Sequence, residues 1–225
     1  TLIVPNGEEV RDISTYYDII RKNRVTVLNQ TPQVFYQLSS FILNLDYPHN
    51  PSDHLRYVIF GGEKLVPGKL KKWVSQFPKV EMVNMYGITE TTVHVTFHKI
   101  ELKEIDQFPW QSNIGKPIPE TQVYLEDKFG NAVPFNVGAE IKVGGSGVAL
   151  EYYNRKKLTA QRFVTETSSP DRGRIYLSGD YAKLNQHADL VYLARKDHQV
   201  KIRGYRIETA EIEAALLAYP SIYEA

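Results

Sequence analysis

Apolar residues recur with two different spacings over residues 1–109, and the two patterns alternate along the chain. A spacing of three or four residues predicts helices, whereas short uninterrupted apolar runs predict buried strands. The helical segments are 12–24, 31–45 and 65–77. The strand segments are TLIV (1–4), VTVLN (25–29), RYVIFGG (56–62) and VEMVNMYG (80–87). Because strand and helix alternate, we expect an α/β fold with a mainly parallel sheet in this half.

The pattern changes at about Trp110, where glycine and proline begin to punctuate a series of short strands. One helical segment, 154–164, interrupts them. After Asp197 a strand pattern, 199–207, precedes a helical pattern, 208–219. We therefore expect an α/β subdomain over 1–109, a β-rich, barrel-like subdomain over 110–196 and the start of a small α+β C-terminal domain over 197–225.

The composition argues against several classes of function. The chain of 225 residues carries 27 Lys and Arg against 26 Asp and Glu, so no basic surface for nucleic acid is expected. No apolar run approaches the roughly 20 residues that a membrane helix needs, and the N-terminal residues lack the pattern of a signal peptide. The chain has no cysteine, which excludes disulfides and thiolate metal sites. We expect a cytoplasmic protein that binds neither nucleic acid nor membrane.

Two predicted strands end in residues whose chemistry suits a bound ligand, and ligands of open α/β sheets bind beyond the carboxyl ends of the strands. Gly61 and Gly62 end the first of these strands and precede Glu63. Glycine lets the backbone approach a planar ligand closely. A plain tight turn explains the same pair of glycines, so both interpretations stay open.

The second strand runs into NMYGITE, residues 84–90, where Gly87 supplies a turn. Tyr86 is suited to stack on an aromatic base and Asn84 to pair with its edge. Thr89 can donate to a phosphate, and Glu90 can hold a hard cation such as Mg²⁺. The alternative is a solvated polar loop.

Asp180 follows a third strand in IYLSGD, residues 175–180, and its carboxylate could accept both hydroxyls of a ribose. A hairpin turn would look the same at this position. GGSGV (144–148) is flanked by strands and lacks the Lys and Ser or Thr of a phosphate-binding loop, so we interpret it as a β-turn or bulge. The six histidines are scattered without the spacing of metal ligands.

Four stretches occur in an order that resembles a known family. NMYGITE (84–90) resembles N-x-Y-G-P-T-E, and GAEIKVGGSGV (138–148) resembles G-E-L-x-I-x-G-x-G-V. IYLSGD (175–180) resembles Y-R-T-G-D, and ARKDHQVKIRGYRIE (194–208) resembles G-R-x-D-x-Q-V-K-I-R-G-x-R-I-E. Together they resemble the adenylation domains of nonribosomal peptide synthetases, within the acyl- and aryl-adenylate-forming enzymes. The departures from the family's motifs are Ile88, Leu150, Glu151, Leu177, Ser178, Ala194 and Ala210.

The resemblance implies that residues 1–196 form the second half of a large N-terminal domain, with Asp197 as the hinge to a small C-terminal domain. It implies ATP and Mg²⁺ as cofactors, with Arg195 and Asp180 on the ribose and Glu90 on Mg²⁺. Tyr86 and Asn84 would contact adenine, and Thr89 the α-phosphate. The implied reaction joins an amino acid to AMP and then loads it on the phosphopantetheine thiol of a peptidyl carrier protein. The resemblance leaves a small accessory protein open as an additional partner.

The side chains that line the amino-acid pocket in resembling domains map onto six positions here. As a set they resemble the pattern of threonine-activating domains. The six positions are Asn29, Ile59, Gly61, Met85, Val93 and His94. Ile59, Met85 and Val93 offer an apolar wall for a methyl group. His94 or Asn29 can hydrogen-bond a hydroxyl. An ordinary core or loop role is the alternative for each residue.

Some of the family's motifs do not occur in these 225 residues, namely the glycine-rich phosphate loop with its lysine, F-D-x-S and N-G-K. The chain also begins at Thr1, so we expect part of a longer enzyme that forms no aminoacyl adenylate by itself. Two alternatives stay open at this point. One is an acyl- or aryl-CoA ligase, and the other is a catalytically silent scaffold that binds a carrier protein.

Overall fold

The computed structural model describes residues 1–45, 53–165, 173–196, 200–202, 205–207, 209–219 and 222. The helices are α1 (Gly7–Arg11), α2 (Ile13–Lys22), α3 (Pro32–Leu43), α4 (Lys71–Gln76), α5 (Leu102–Gln107), α6 (Lys156–Arg162) and α7 (Thr209–Leu217). The strands are β1 (Val27–Gln30), β2 (Tyr57–Phe60), β3 (Glu81–Asn84), β4 (Thr96–Lys99), β5 (Ser112–Pro117), β6 (Thr121–Leu125), β7 (Ala139–Gly145), β8 (Phe163–Thr165), β9 (Arg174–Leu184), β10 (Leu190–Arg195), β11 (Val200–Ile202) and β12 (Tyr205–Ile207).

The first half of the chain forms the parallel part of the sheet. β1 pairs with β2 and β2 with β3, both in parallel, so the polar ends of β2 and β3 lie at the same edge. The helices pack on one face of these strands around a cluster that includes Phe35, Phe60 and Trp73. The Phe35 and Trp73 rings pack edge to face at a centroid distance of 5.1 Å. This large apolar cluster holds β2 and β3 in place beneath the residues that follow them.

The second half continues the same sheet with antiparallel strands. The strand order is β1-β2-β3-β4-β5-β10-β9-β7-β6, and β8 pairs with β9. Tyr86, Val95 and Ile141 belong to a second apolar cluster, and Ile88, Phe163 and Tyr176 form a third. The residues that follow β3 therefore lie where the parallel and antiparallel halves meet. The expected α/β class with a β-rich second part is confirmed.

Two sequence expectations differ from the structure. Residues 1–6 form neither helix nor strand, although TLIV was expected as a strand. Leu2 and Val4 are exposed, so these apolar residues gain no burial against a neighbouring strand. Residues 199–207, expected as one strand, contribute the two antiparallel strands β11 and β12. The proposed hinge, Asp197, lies outside the described residues.

Within the part of the chain that the structure describes, no helix combines the length and the apolar character needed to cross a membrane.

Candidate functional site

A strained turn follows β3 and carries the first group of candidate residues. Thr89, Glu90 and Thr91 form one turn of 3₁₀ helix. Thr92 and Val93 then adopt left-handed φ angles of 58° and 71°. Such angles are unfavourable for β-branched side chains, at a cost of about 1–3 kcal/mol each, and they cluster at functional sites. The surrounding contacts hold this turn in place, which is a first structural sign of a site.

Neighbouring segments fix the turn from two sides. The backbone of Val95 donates to the Tyr86 carbonyl at 2.8 Å, and that of Val93 donates to the Ile88 carbonyl at 3.2 Å. From the other side, the Thr92 hydroxyl donates to the Gly147 carbonyl at 2.7 Å. GGSGV therefore packs against the turn through its backbone, consistent with the structural role expected from its sequence.

Asp180 lies at the centre of a buried polar cluster. Its side chain is 1% exposed. One carboxylate oxygen accepts from the Tyr86 hydroxyl at 2.8 Å, and the other accepts from Tyr192 and Arg195, each at 3.2 Å. Burial and the Asp180 carboxylate raise the pKa of Tyr86 well above its usual value, so its phenol stays protonated and donates. The structure thus brings together Tyr86, Asp180 and Arg195, all three of which the sequence predicted as site residues.

Tyr192 belongs to this cluster, although the sequence analysis missed it. Tyr192 and Arg195 are three residues apart, and strict strand alternation would place them on opposite faces. β10 is irregular between Tyr192 and Ala194, where its pairing with β9 shifts. This bulge brings Arg195 opposite Asp180 while Tyr192 stays on the same face. Local sequence carries no clear signal for that shift.

A small cleft opens beside this cluster, with a volume of about 40 Å³. Tyr86 and Tyr192 contribute their rings to it, 6.1 Å apart between centroids. Lys64 extends over the Tyr192 ring and donates to the Leu193 carbonyl at 3.0 Å. Five predicted nucleotide-binding residues line the cleft: Gly62, Glu63, Asn84, Tyr86 and Gly87. Lining residues not predicted from sequence are Lys64, Ser112, Ile114 and Tyr192.

Two of the predicted lining residues also make structural contacts. The Asn84 amide, expected to pair with a base, donates to the Asn113 carbonyl of β5 at 2.7 Å. The Glu63 carboxylate accepts from the backbone of Gln33, in the first turn of α3, at 3.4 Å. An acidic side chain in that position also interacts favourably with the helix dipole.

The Glu90 carboxylate lies against the third apolar cluster, through Tyr152. It is 6% exposed, and its carboxylate accepts from the Tyr152 hydroxyl at 2.6 Å. The Tyr152 and Tyr176 hydroxyls lie 3.0 Å apart. Burial, reinforced by the hydrogen bond with Tyr152 and by the charge of Glu90, raises the pKa of Tyr176. Thr89, in contrast, is exposed to solvent at the start of the turn.

Of the predicted amino-acid-binding residues, Asn29 and Ile59 lie on the face of the sheet opposite the large apolar cluster, and His94 and Met85 lie near Gly61 at the end of β2. Asn29 and Ile59 are direct partners in the pairing of β1 with β2. A Cβ atom placed on Gly61 would lie 3.6 Å from His94 Cε1 and 3.7 Å from the Met85 carbonyl oxygen. Burial lowers the pKa of His94, so its imidazole is neutral at pH 7. Val93 is mostly exposed next to this group.

Glu90 is the residue that the sequence predicts as a ligand of Mg²⁺. Among the described residues, no three His, Asp or Glu side chains are grouped to hold a metal ion. Mg²⁺ does not need such a group, because it commonly binds one or two carboxylates, several waters and the phosphates of a substrate. A carboxylate has roughly four acceptor positions, so Glu90 can accept from Tyr152 and still offer oxygen to a cation. The donor set therefore fits a nucleotide-bound Mg²⁺ rather than a protein-only metal site.

A family model described as AMP-binding enzyme matches residues 1–153. The chain belongs to the family of AMP-binding enzymes. These enzymes are ATP-dependent, adenylate-forming ligases.

Relatives of this AMP-binding chain include synthetases that are much longer than the chain. A plipastatin synthase of Bacillus subtilis (strain 168) is 48% identical over 225 residues, which are 100% of this chain and 8% of that protein. Malpinin synthetase of Mortierella alpina is 43% identical over 229 residues, which cover 100% of this chain and 3% of that protein. The AMP-binding chain thus spans only a small part of the length of these curated relatives.

Solved structures show the same fold. Holo-PA1221, a nonribosomal peptide synthetase protein containing adenylation and PCP domains and bound to a vinylsulfonamide inhibitor, has a TM-score of 0.82 at 26% identity. That match covers 95% of this chain and 36% of the other. Holo-AB3403, a four-domain nonribosomal peptide synthetase bound to AMP and glycine, has a TM-score of 0.72 at 34% identity, covering 98% and 16%. The resemblance to nonribosomal peptide synthetase adenylation domains is confirmed.

Proposed function

We propose that the intact protein activates an amino acid, L-threonine, with ATP and loads it on the thiol of a peptidyl carrier protein. The observation that carries the nucleotide part is the buried cluster of Tyr86, Tyr192 and Arg195 around Asp180, beside a cleft lined by Gly62 and other residues of the predicted site. An aromatic ring can stack on an adenine base, and a carboxylate can accept hydrogen bonds from ribose hydroxyls.

The nucleotide would enter past Tyr192, which lines the cleft. The Tyr192 ring is only partly buried, whereas Tyr86 is fixed on the opposite side. Movement of Tyr192 would free an acceptor position of Asp180 for a ribose hydroxyl. Tyr86 and Arg195 would keep the carboxylate charged and oriented, because both donate to it.

In the proposed reaction, a carboxylate oxygen of the amino acid attacks the α-phosphorus of ATP. A new oxygen–phosphorus bond forms, the bond to the β-phosphate breaks, and pyrophosphate leaves with its electron pair. The exposed Thr89 hydroxyl can donate to the α-phosphate. Glu90 would hold Mg²⁺, which supplies charge stabilisation to the phosphates. Such chemistry depends on positioning and electrostatics more than on covalent participation of the protein.

Threonine is proposed from the face that carries Asn29, Ile59, Met85 and His94. Ile59 and Met85 supply apolar surface near a neutral His94 imidazole, which can both donate and accept. Gly61 leaves the space between them open, because an added Cβ would contact both His94 and Met85. A methyl group and a hydroxyl on one small side chain fit this combination.

The carrier-protein step is supported by the likeness to holo-PA1221, which contains adenylation and PCP domains. In this step the phosphopantetheine thiol attacks the carbonyl of the aminoacyl adenylate. A thioester forms and AMP leaves. The proposed hinge at Asp197 would allow the change between the two half-reactions.

Amino-acid-dependent exchange of pyrophosphate into ATP by the intact protein tests the substrate. We expect faster exchange with threonine than with serine, and much slower exchange with valine than with either. The reason is that a pocket built for a hydroxyl rejects an analogue lacking it by up to roughly 10⁴-fold. The missing methyl of serine is worth only about 1–3 kcal/mol. His94→Ala and Asn29→Ala should reduce the difference in exchange rate between threonine and valine. The control His187→Ala, at an exposed site, should leave that difference unchanged. Preference for an aromatic or charged amino acid, or for an acid without an ammonium group, would exclude threonine.

A further inference from the structure

The Glu90 carboxylate is held by two tyrosines that lie far from it in sequence. Tyr152 Oη lies 2.6 Å from Glu90 Oε1 and 3.0 Å from Tyr176 Oη. An ionised carboxylate can only accept, so the Tyr152 proton points to Glu90. The Tyr176 hydroxyl lies where it can donate to Tyr152. The two hydroxyls therefore form a polar cluster with the carboxylate, in which Tyr152 donates to Glu90.

Packing fixes both phenols. The Phe163 ring lies 5.3 Å from that of Tyr152 and 4.9 Å from that of Tyr176, measured between centroids. The backbone of Tyr152 donates to the Thr159 hydroxyl of α6 at 3.1 Å. These contacts leave the two hydroxyls little freedom to turn away from Glu90.

The same segment also holds the backbone of Glu90. Ala149 donates its amide proton to the Glu90 carbonyl at 2.9 Å. Leu150, one of the departures from the family's motif, is 79% exposed. Its side chain therefore does not interfere with the contacts that Ala149 and Tyr152 make with Glu90.

Strand β9 connects these two tyrosine hydroxyls to the ribose end of the proposed site. Tyr176 and Asp180 lie on β9, four residues apart. Asp180 accepts a hydrogen bond from Tyr86, and Tyr176 lies within hydrogen-bond distance of Tyr152, which donates to Glu90. Residues of one strand therefore contact both ends of the stretch from Tyr86 to Glu90.

We propose that Tyr152 and Tyr176 are positioning residues that orient the Glu90 carboxylate for the cation bound to the triphosphate. This inference rests on the proposed function. Mg²⁺ demands nearly ideal octahedral geometry, so a carboxylate with a fixed direction binds it better than a mobile one. Hydrogen-bond partners behind a metal ligand typically matter by about 10- to 100-fold in metal affinity or activity.

The test is calorimetric binding of MgATP and of metal-free AMP to the intact protein. Tyr152→Phe removes one hydroxyl and keeps the ring that packs on Phe163. We expect MgATP affinity to fall about tenfold and AMP affinity to stay unchanged, because AMP has no β- and γ-phosphates to share a cation with Glu90. Tyr153→Phe is the matched control, since Tyr153 is the neighbouring residue and is 88% exposed. It should bind both nucleotides like the wild type.

A second set of variants separates positioning from a merely structural role. In a Glu90→Gln background, Tyr152→Phe should cause no further loss of MgATP affinity, because the charged acceptor is already gone. Tyr176→Phe should lower MgATP affinity less than Tyr152→Phe does, and it too should leave AMP affinity unchanged.

The outcomes distinguish this inference from the proposed function. Equal losses for MgATP and AMP, no loss at all, or tighter MgATP binding by Tyr152→Phe would refute positioning and leave nucleotide binding intact. A wild-type protein that binds neither nucleotide would refute the proposed function, and the inference with it.

Discussion

Replacing Gly87 with alanine is expected to displace the turn that carries Thr89 and Glu90. A Cβ atom on Gly87 would lie 1.7 Å from the Val93 carbonyl oxygen, 2.6 Å from its carbon and 2.8 Å from His94 Cα. Favourable contacts between carbon atoms lie at about 3.5–4.0 Å, so the turn would have to move by roughly 1–2 Å. All three obstructing atoms belong to the backbone, which cannot rotate aside as a long side chain can.

The cost follows from this displacement. Forcing an extra carbon into a closely packed region typically costs about 1–3 kcal/mol, and more where the backbone must shift. The turn also holds Thr92 and Val93 in left-handed conformations that only its exact contacts sustain. In a domain of this size, each kcal/mol lowers the melting temperature by about 2–4 °C. We expect Gly87→Ala to lower it by roughly 5–10 °C and to weaken nucleotide binding.

Thermal unfolding and calorimetric ATP binding measure the two effects. Gly7→Ala is the matched control, because a Cβ at Gly7 would meet no atom within 4 Å at the start of α1. That control should melt at the same temperature as the wild type or slightly higher, since alanine reduces the entropy of the unfolded chain. A Gly87→Ala protein that melts like the wild type and binds ATP equally well would refute the close approach of residues 87 and 93.

Three further predictions concern separate parts of the chain. Burial lowers the pKa of His94 below 6.5, so its NMR titration midpoint should fall below that value. Neutral His94 contributes to the stability of the folded protein above pH 6.5, and this contribution is lost as the pH falls through the folded-state pKa. A titration midpoint at or above 6.5 would contradict the lowered pKa. Asp197→Pro should slow carrier loading far more than pyrophosphate exchange, whereas equal losses would argue against a hinge. Glu126→Gln should lower the melting temperature more than Glu101→Gln, because Glu126 is buried with Lys142 at 2.8 Å and Glu101 pairs at the surface with Lys103; equal shifts would contradict this difference.

Local patterns predicted the elements whose residues are buried along one face. The three- and four-residue spacing predicted α2 and α3, and the short apolar runs predicted β2 and β3, because these segments bury a continuous apolar surface. The prediction of a strand at TLIV was wrong because these apolar residues have no neighbouring strand on which to pack in the part of the chain that the structure describes, and composition alone does not reveal that. Element type was thus predictable wherever burial follows from periodicity.

The candidate site was predictable in its motif residues and not in its long-range partners. Tyr86, Asp180 and Arg195 stood out because their chemistry follows the end of a strand or a recognisable motif. Tyr192 escaped notice because its place depends on a bulge in β10. Tyr152 lies 62 positions from Glu90, and only folding brings the two together. Contacts of this kind depend on sheet register, which a single sequence does not encode locally.

Calorimetric titration with AMP, comparing the wild type with Asp180→Asn, is the most direct test of nucleotide binding in the cleft. Asp106→Asn serves as the control, because Asp106 forms a surface ion pair with Lys71. We predict that the wild type and Asp106→Asn bind AMP alike and that Asp180→Asn weakens binding by about tenfold or more, the typical loss of a hydrogen bond to a charged group. A wild type that does not bind AMP, or an Asp180→Asn protein that binds it equally well, would contradict the assignment of this cleft.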